Sequence, residues 1–282
     1  MYYPKKILQL LLFFFGILFY AQSHSGDPLR GDFTYQLKAK FDQRTDNRHE
    51  ELFSLQIADN RAFFASTISL KGDSVMENSR TTTNHSNGSI TLSYKEGVVI
   101  PKTDLSFTII QSNENIQYFR SVGMALLTYK QPVIKNWNLI DETKVINTFH
   151  CKKAEITFKG RHWIAWYAPE IPLPYGPYKF SGLPGLIIEI KDDQGDYSFE
   201  LVKSVSDSKL KGKFINIKKN RYTEAIETTQ PKLKQALRNA DANAAAVFAS
   251  YGTTILKGQE MLRQREKERE ENLKYENPLE LE

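Results

Sequence analysis

Strict alternation of apolar and polar side chains is the feature that most constrains the fold of this chain. In the segment FTYQLKAKF, every second residue from Phe33 to Phe41 is apolar and the residues between them are polar. Successive side chains of a β-strand point to opposite faces, so this period of two indicates a half-buried strand. Similar patterns predict strands at residues 52–58, 63–70, 90–94, 98–100, 106–111, 137–140, 151–159, 161–168, 186–191, 197–205 and 213–217.

Short strands separated by turn residues, without helices between them, are typical of an antiparallel sheet. We therefore predict a mainly β fold, a curved antiparallel sheet that forms a half-barrel or an open barrel meander. Residues 79–89, which contain TTTNHSNGS, are predicted to form a surface loop. The β domain is expected to span residues 24–220.

The N-terminus has the organisation of an export signal. Two lysines, Lys5 and Lys6, precede an apolar run of about 14 residues, and Ala21 and Ser23 are small residues at a signal-peptidase site. The run is shorter than the roughly 20 residues of a comfortable membrane span. We therefore predict a signal peptide at residues 1–23, export to the periplasm or cell envelope of a Gram-negative bacterium, and no stable membrane span after cleavage. The alternative is a retained membrane anchor.

The C-terminal segment, residues 221–282, differs in character. Pro231 stands where a first helical turn tolerates proline, and Leu233 and Leu237 recur at helical spacing, so we predict a helix that packs on or beside the sheet. Gly252 weakens or ends it. A second predicted helix, residues 254–274, carries mixed charge, which indicates a solvated face. A helix that binds a partner protein is the alternative.

One cysteine is present, so no disulfide can form within the chain. Free cysteine is among the most frequently buried residue types, and we predict that Cys151 is buried. The excess of 38 Lys and Arg over 33 Asp and Glu is too small to indicate a class of partner. Nucleic acid is not an expected partner of an exported protein.

A hairpin at residues 151–168 suggests a ligand-binding face. With Gly160 and Arg161 as its two-residue turn, one face carries apolar residues of the core and the other carries Ile164 and Trp166 among polar residues. The concave side of a curved sheet is a natural site for an apolar ligand. The predicted ligand-binding residues are Ile164, Trp166, Tyr178 and Phe180. The alternative for Trp166 is that the C-terminal helix covers it.

The stretch GPYKFSGLPGLIIEI combines glycine and proline with an apolar strand. Proline followed by glycine suits a type II turn. A phosphate cradle would need a following helix or the lysine and hydroxyl of a P-loop, and the sequence has neither. We therefore interpret this corner as structural. The motif residues are Gly182, Leu183, Pro184, Gly185, Leu186 and Ile187.

The hexapeptide at residues 182–187, the hairpin before it and the closing YENPLELE resemble the GLPGLI family of exported proteins from Bacteroidota. The resemblance spans most of the chain after the signal and is strongest over residues 137–205. It implies export, a Gram-negative cell envelope and a β-rich fold. It implies no reaction and no catalytic residues, because none is established for the family.

The sequence gives little support to catalysis or metal binding. His150 and Cys151 are adjacent and so point to opposite faces of a strand, and no paired CxxC or HExxH spacing occurs. We predict no metal and no cofactor. The favoured function is a non-enzymatic binding or carrier protein for an apolar ligand or a partner protein. Two alternatives remain, an envelope assembly factor that acts through the charged helix and a hydrolase that uses Glu155, Glu170 or Glu189.

Overall fold

The computed structural model describes residues 26–84, 86, 90–205, 207–242, 264, 267, 268 and 270–281. The predicted signal peptide and most of the charged C-terminal helix lie outside these residues. The strands are β1 (Gly31–Ala39), β2 (His49–Ile57), β3 (Arg61–Ser66), β4 (Arg80–Asn84), β5 (Ile90–Tyr94), β6 (Thr108–Ser112), β7 (Asn115–Val122), β8 (Ala125–Pro132), β9 (Asn138–Ile146), β10 (Phe149–Phe158), β11 (Arg161–Ala168), β12 (Leu186–Asp192), β13 (Tyr197–Ser204) and β14 (Ile226–Glu227).

Within the described residues, twelve strands form one sheet that is not closed into a barrel. Their order is β14-β8-β7-β6-β3-β2-β1-β13-β12-β11-β10-β9, and β4 pairs with β5 in a separate hairpin. The mainly β fold with an open sheet is therefore confirmed. The sheet is mixed rather than purely antiparallel, because Ile226 of β14 pairs in parallel with Leu127 of β8.

The helices are α1 (Thr67–Ser79), α2 (Asp207–Leu210) and α3 (Gln230–Ala242), with a 3-10 turn at Lys219–Arg221. Helix α1 occupies the end of the predicted strand at residues 63–70. The reason is an N-cap: the Ser66 hydroxyl accepts a hydrogen bond from the Ser69 amide at 3.2 Å, which begins a helix where the alternation pattern continues. None of the described helices combines the length and apolar content needed to cross a bilayer.

Other local predictions need correction. Part of the predicted loop at residues 79–89 is strand β4, since Arg80 pairs with Tyr94 across to β5. Residues 98–100 are not a strand, whereas β7 and β8 form a hairpin that the pattern did not predict. In place of a strand at residues 213–217, the structure has one isolated bridge between Pro28 and Phe214.

The β10–β11 hairpin turns one residue earlier than predicted. Phe158 pairs with Arg161, so the turn residues are Lys159 and Gly160, whose φ angles are 52° and 76°. Positive φ at both central residues is the type I′ geometry that matches strand twist, and it is satisfied here despite the side chain of Lys159. The correction moves each cross-strand partner by two positions, so the residues from Lys153 to Trp166 keep their predicted faces. Cys151 does not, because it was expected on the mixed face, with Ile164 and Trp166, and lies in the core.

The main core lies on one face of the sheet. Phe53 and Phe64 stack with ring centroids 4.8 Å apart, and Trp163 and Phe180 lie 4.6 Å apart in the same cluster. A smaller apolar cluster around Phe63 and Phe119 covers part of the opposite face.

The C-terminal strap, residues 275–281, closes over the core. Glu276 forms a bridge with Asp42, the amide of Asn277 donates to the Phe41 carbonyl at 2.8 Å, and the amide of Leu281 donates to the Lys159 carbonyl at 3.0 Å. The strap therefore connects the end of β1 to the β10–β11 turn.

Candidate functional site

Two of the four predicted ligand-binding residues are half-buried on β11, and the other two are buried in the main core. Ile164 and Trp166 alternate along β11 with the buried Trp163 and Ala165. Trp166 packs against the main core cluster, and the Lys144 ammonium group is 5.5 Å from its ring centroid. Tyr178 and Phe180 are buried in the main core, with 6% and 0% exposure. These residues therefore do not line one pocket.

The glycine–proline corner packs closely against neighbouring backbone. Gly182 has φ +89°, and a Cβ at this position would meet the carbonyl oxygen of Ile134. A Cβ at Gly185 would likewise meet the carbonyl oxygen of Ala168. The two glycines thus allow an approach that other residues would obstruct. Leu183, Leu186 and Ile187 are buried, whereas Gly182 and Pro184 are exposed.

Just before this corner, Lys179 has 0% exposure, which is rare for lysine. Its ammonium group donates to the hydroxyl of Tyr129 at 2.7 Å and to the carboxylate of Glu280. It also lies 5.3, 5.1 and 5.1 Å from the ring centroids of Tyr118, Tyr129 and Tyr178. Burial lowers the pKa of Lys179 to about 8, against the opposing effect of Glu280.

Glu280 is the acceptor that joins three parts of the chain. Besides Lys179, the Tyr178 hydroxyl donates to it at 2.7 Å, and the Gln230 amide of α3 donates to its other oxygen at 2.6 Å. Burial, followed by the adjacent Glu280 charge, raises the pKa of Tyr178 well above its usual value. The strap, the corner and α3 are therefore held by one carboxylate.

A second buried cation holds the other end of the strap. Arg161 donates to Asp192 at 2.8 Å, to the Asn277 side chain at 2.5 Å and to the Pro278 carbonyl at 2.8 Å. The guanidinium also lies 4.7 Å from the ring centroid of Tyr197. Burial raises the pKa of Asp192, although Arg161 acts in the opposite direction.

A cavity of about 320 Å³ lies between the sheet, α3 and the strap. Its apolar and aromatic lining comes from all three, and its charged lining residues range from the exposed Asp104 and Glu276 to the buried Glu280. The lining includes Leu105, Phe107, Tyr118, Tyr129, Leu233, Leu237, Pro278 and Leu279, with Arg120, Lys234, Asp104 and Glu276 among the charged residues. A larger cleft of about 470 Å³ beside Arg44 is lined mostly by charged and amide side chains, so it suits an apolar molecule less well.

The predicted hydrolytic carboxylates do not line this cavity. Glu155 is paired with Lys153 at 3.0 Å, Glu189 lies 3.8 Å from Lys144, and Glu170 lies 3.8 Å from His150. The His150–Glu170 contact is exposed, whereas the side chains of Lys153, Glu155 and Glu189 are mostly buried beside their partners.

Cys151 is buried as predicted, with 1% exposure, and burial raises its pKa to about 11. The alternation of buried residues in β10 is interrupted between Cys151 and Ala154, beside a register shift in its pairing with β9, and the thiol lies in the core. Among the described residues, no three His, Cys, Asp or Glu side chains are arranged to hold a metal ion.

Sequence reasoning missed the residues that organise this region. Lys179 interrupts the aromatic run of Tyr178 and Phe180, and Glu280 stands between Leu279 and Leu281. A charge enclosed by apolar neighbours is the local signal for a buried ion pair. The signal identifies a charged residue but not its distant partner.

Comparisons with known proteins give a partial family match. A family model described as "Protein of unknown function (Porph_ging)" matches residues 156–189, a range that contains Lys179 and the glycine–proline corner. No curated protein matches the sequence. Two solved structures of PNGF-II are similar over 74% of this chain and 33% of theirs. Their P21 form has 12% identity and a TM-score of 0.48, and their C2 form has 10% identity and a TM-score of 0.49. The chain thus spans about a third of the length of PNGF-II.

Proposed function

We propose that this chain is an exported, non-enzymatic binding protein that holds an apolar ligand in the cavity between the sheet, α3 and the strap. The observation that supports this proposal most directly is the composition of the cavity wall. Leu105, Phe107, Leu233 and Leu237 supply apolar surface, and Tyr118 supplies an aromatic ring. Ligand sites are typically concave, mainly apolar and supplied with a few placed polar groups.

The polar groups that line the cavity, together with the adjacent Lys179, support binding rather than catalysis. Lys179 donates to Tyr129 and Glu280, and Glu280 also accepts from Tyr178 and Gln230. A general acid or base must reach the proton that it transfers. Here Lys179, Tyr178 and Gln230 all donate to Glu280, so these groups are already hydrogen-bonded to one another and stabilise the shape of the cavity.

Export and a place in the cell envelope are part of the proposal and rest on the pattern of residues 1–23. Amino-terminal sequencing of protein recovered from the periplasmic fraction tests this part. We expect the mature chain to begin at His24. A chain recovered from the cytoplasm with Met1 retained would contradict export.

A cavity-filling substitution tests the binding site. Leu237→Trp places a larger side chain in the lining, and we expect it to abolish the binding of the uncharged dye Nile red. Leu139→Trp is the matched control, because Leu139 lies on edge strand β9 and is 56% exposed. Equal dye binding by wild type and Leu237→Trp, with both folded by near-ultraviolet circular dichroism, would refute the proposed site.

A further inference from the structure

Arg120 differs from Lys179 and Arg161, the two buried cations that contact the strap. It lies on β7, and strand alternation places it on the same face as Ile116 and Tyr118. It is half-buried and lines the cavity. Lys179 and Arg161 have carboxylate partners, whereas no carboxylate of the described residues lies within ion-pair distance of the Arg120 guanidinium.

The other charges around the cavity leave the position beside Arg120 favourable for an anion. Glu280 is neutralised by its pair with Lys179. Asp104 and Glu276 are exposed to solvent, which screens their charges, while Lys234 is half-buried on α3. Arg120 and Lys234 are therefore less exposed to solvent than Asp104 and Glu276. Because a charge interaction becomes stronger as water is excluded, the two cations should affect a bound ligand more than the two carboxylates do.

We infer that the ligand of this cavity carries an anionic head group, which Arg120 binds, and an alkyl or similarly apolar body, which contacts Leu105, Phe107 and Leu233. This inference rests on the proposed function. A guanidinium group matches the planar oxygens of a carboxylate or the oxygens of a phosphate with two parallel hydrogen bonds. Arg120 is half-buried beside an apolar wall and has no carboxylate partner among the residues that the structure describes, so it meets that requirement.

Single-chain amphiphiles test the inference on the full-length mature protein. Isothermal titration calorimetry would compare decanoate, decyl phosphate and decanol, each kept below its critical micelle concentration. We expect at least one anion to bind about tenfold or more tightly than decanol, as one additional charge-assisted contact implies. The comparison of decanoate with decyl phosphate distinguishes a carboxylate ligand from a phosphate ligand.

Three variants assign the effect to Arg120. Arg120→Gln should weaken anion binding about tenfold and leave decanol binding unchanged, because it removes the guanidinium and leaves the apolar wall intact. Arg120→Lys should retain part of the affinity. Arg80→Gln, a change at an exposed arginine on β4, is the matched control and should bind all three compounds like wild type.

The outcomes separate the inference from the function on which it rests. Equal affinity for decanol and both anions would overturn the anionic head group while preserving an apolar site. Undiminished anion binding by Arg120→Gln would also overturn it. Binding of Nile red without binding of any decyl compound would reject an alkyl anion as the ligand. Failure of both Nile red and the decyl compounds would overturn the proposed function as well.

Discussion

Lys179 and Glu280 form a buried ion pair although 101 residues separate them in the chain. One belongs to the segment that leads into the glycine–proline corner, and the other belongs to the strap. Their pairing fixes the strap against the core, and Gln230 ties α3 to the same carboxylate. The positions of the strap, α3 and the segment before the corner, all of which line the cavity, therefore depend on the Lys179–Glu280 contact.

Removing one member of this pair should destabilise the protein strongly. Lys179→Met leaves a buried carboxylate without its cation, and Glu280→Leu leaves a buried ammonium without its anion. We expect each to lower the free energy of unfolding by about 3 to 5 kcal/mol in urea denaturation.

A double-mutant cycle separates this pairing from general packing loss. The double variant of Lys179→Met and Glu280→Leu should lose clearly less than the sum of the single variants, because neither charge is then left alone. Arg30→Ala, which breaks the exposed pair with Asp59, is the control and should have little effect. Additive losses at Lys179 and Glu280 would contradict the pairing.

The ion pair also predicts an unusual dependence of stability on alkaline pH. The pKa of Lys179 is lowered to about 8 in the folded state from its ordinary 10.5, so between these values the unfolded state binds more protons. Stability from this group should therefore rise as pH increases above 8 and fall as pH decreases through 8. The slope has an upper limit of about 1.4 kcal/mol per pH unit.

The window from pH 8 to pH 9 isolates Lys179 most clearly. Burial raises the pKa of Cys151 from 9.0 to about 11 and raises that of Tyr129 above its ordinary 10.0. The free energy of unfolding that these two groups contribute therefore falls as pH rises beyond about 9 and 10 respectively, which would oppose the effect of Lys179 at higher pH. Urea denaturation across this window should give a more positive slope for wild type than for Lys179→Met. Equal slopes would show that Lys179 titrates normally.

The corner glycines should be intolerant of substitution for a backbone reason. Gly182→Ala combines a left-handed φ with a contact between its Cβ and the Ile134 carbonyl oxygen. We expect a loss of about 2 kcal/mol or more in the free energy of unfolding. Gly123→Ala is the control, because Gly123 also has positive φ, +59°, but no atom lies within 4 Å of the added Cβ. It should lose only about 1 kcal/mol, and equal losses would exclude close packing as the cause.

Cys151 should behave as an unreactive thiol in the folded protein. It is 1% exposed, and burial raises its pKa to about 11, so little thiolate is present at neutral pH. Reaction with Ellman's reagent at pH 8 should be slow under native conditions and rapid in urea. Rapid native labelling would show that the core opens at β10.

Local pattern was sufficient for much of the sheet. The alternation of Tyr35 and Leu37 with polar neighbours correctly marked β1. The faces of the β10–β11 hairpin were correct except at Cys151, even though the turn was misplaced. The start of α1 was missed because a single capping serine, Ser66, outweighs the continuing apolar pattern. The hairpin of β7 and β8 was missed because its alternation is weak.

Of the four residues predicted to bind a ligand, Tyr178 lines the cavity, whereas Trp166, Ile164 and Phe180 do not. Lys179, Glu280 and Arg120 were not selected. Their importance depends on which distant groups surround them, and a linear pattern does not report that.

The sequence by itself determined the strand-rich architecture and the apolar faces of strands such as β1, because dihedral preference and side-chain alternation are local properties. Only the tertiary structure decided the strand order, the parallel contact of β14 and the meeting of Lys179 with Glu280. Those contacts form when the whole sheet buries its apolar surface, and the free energy of that burial selects which distant segments meet.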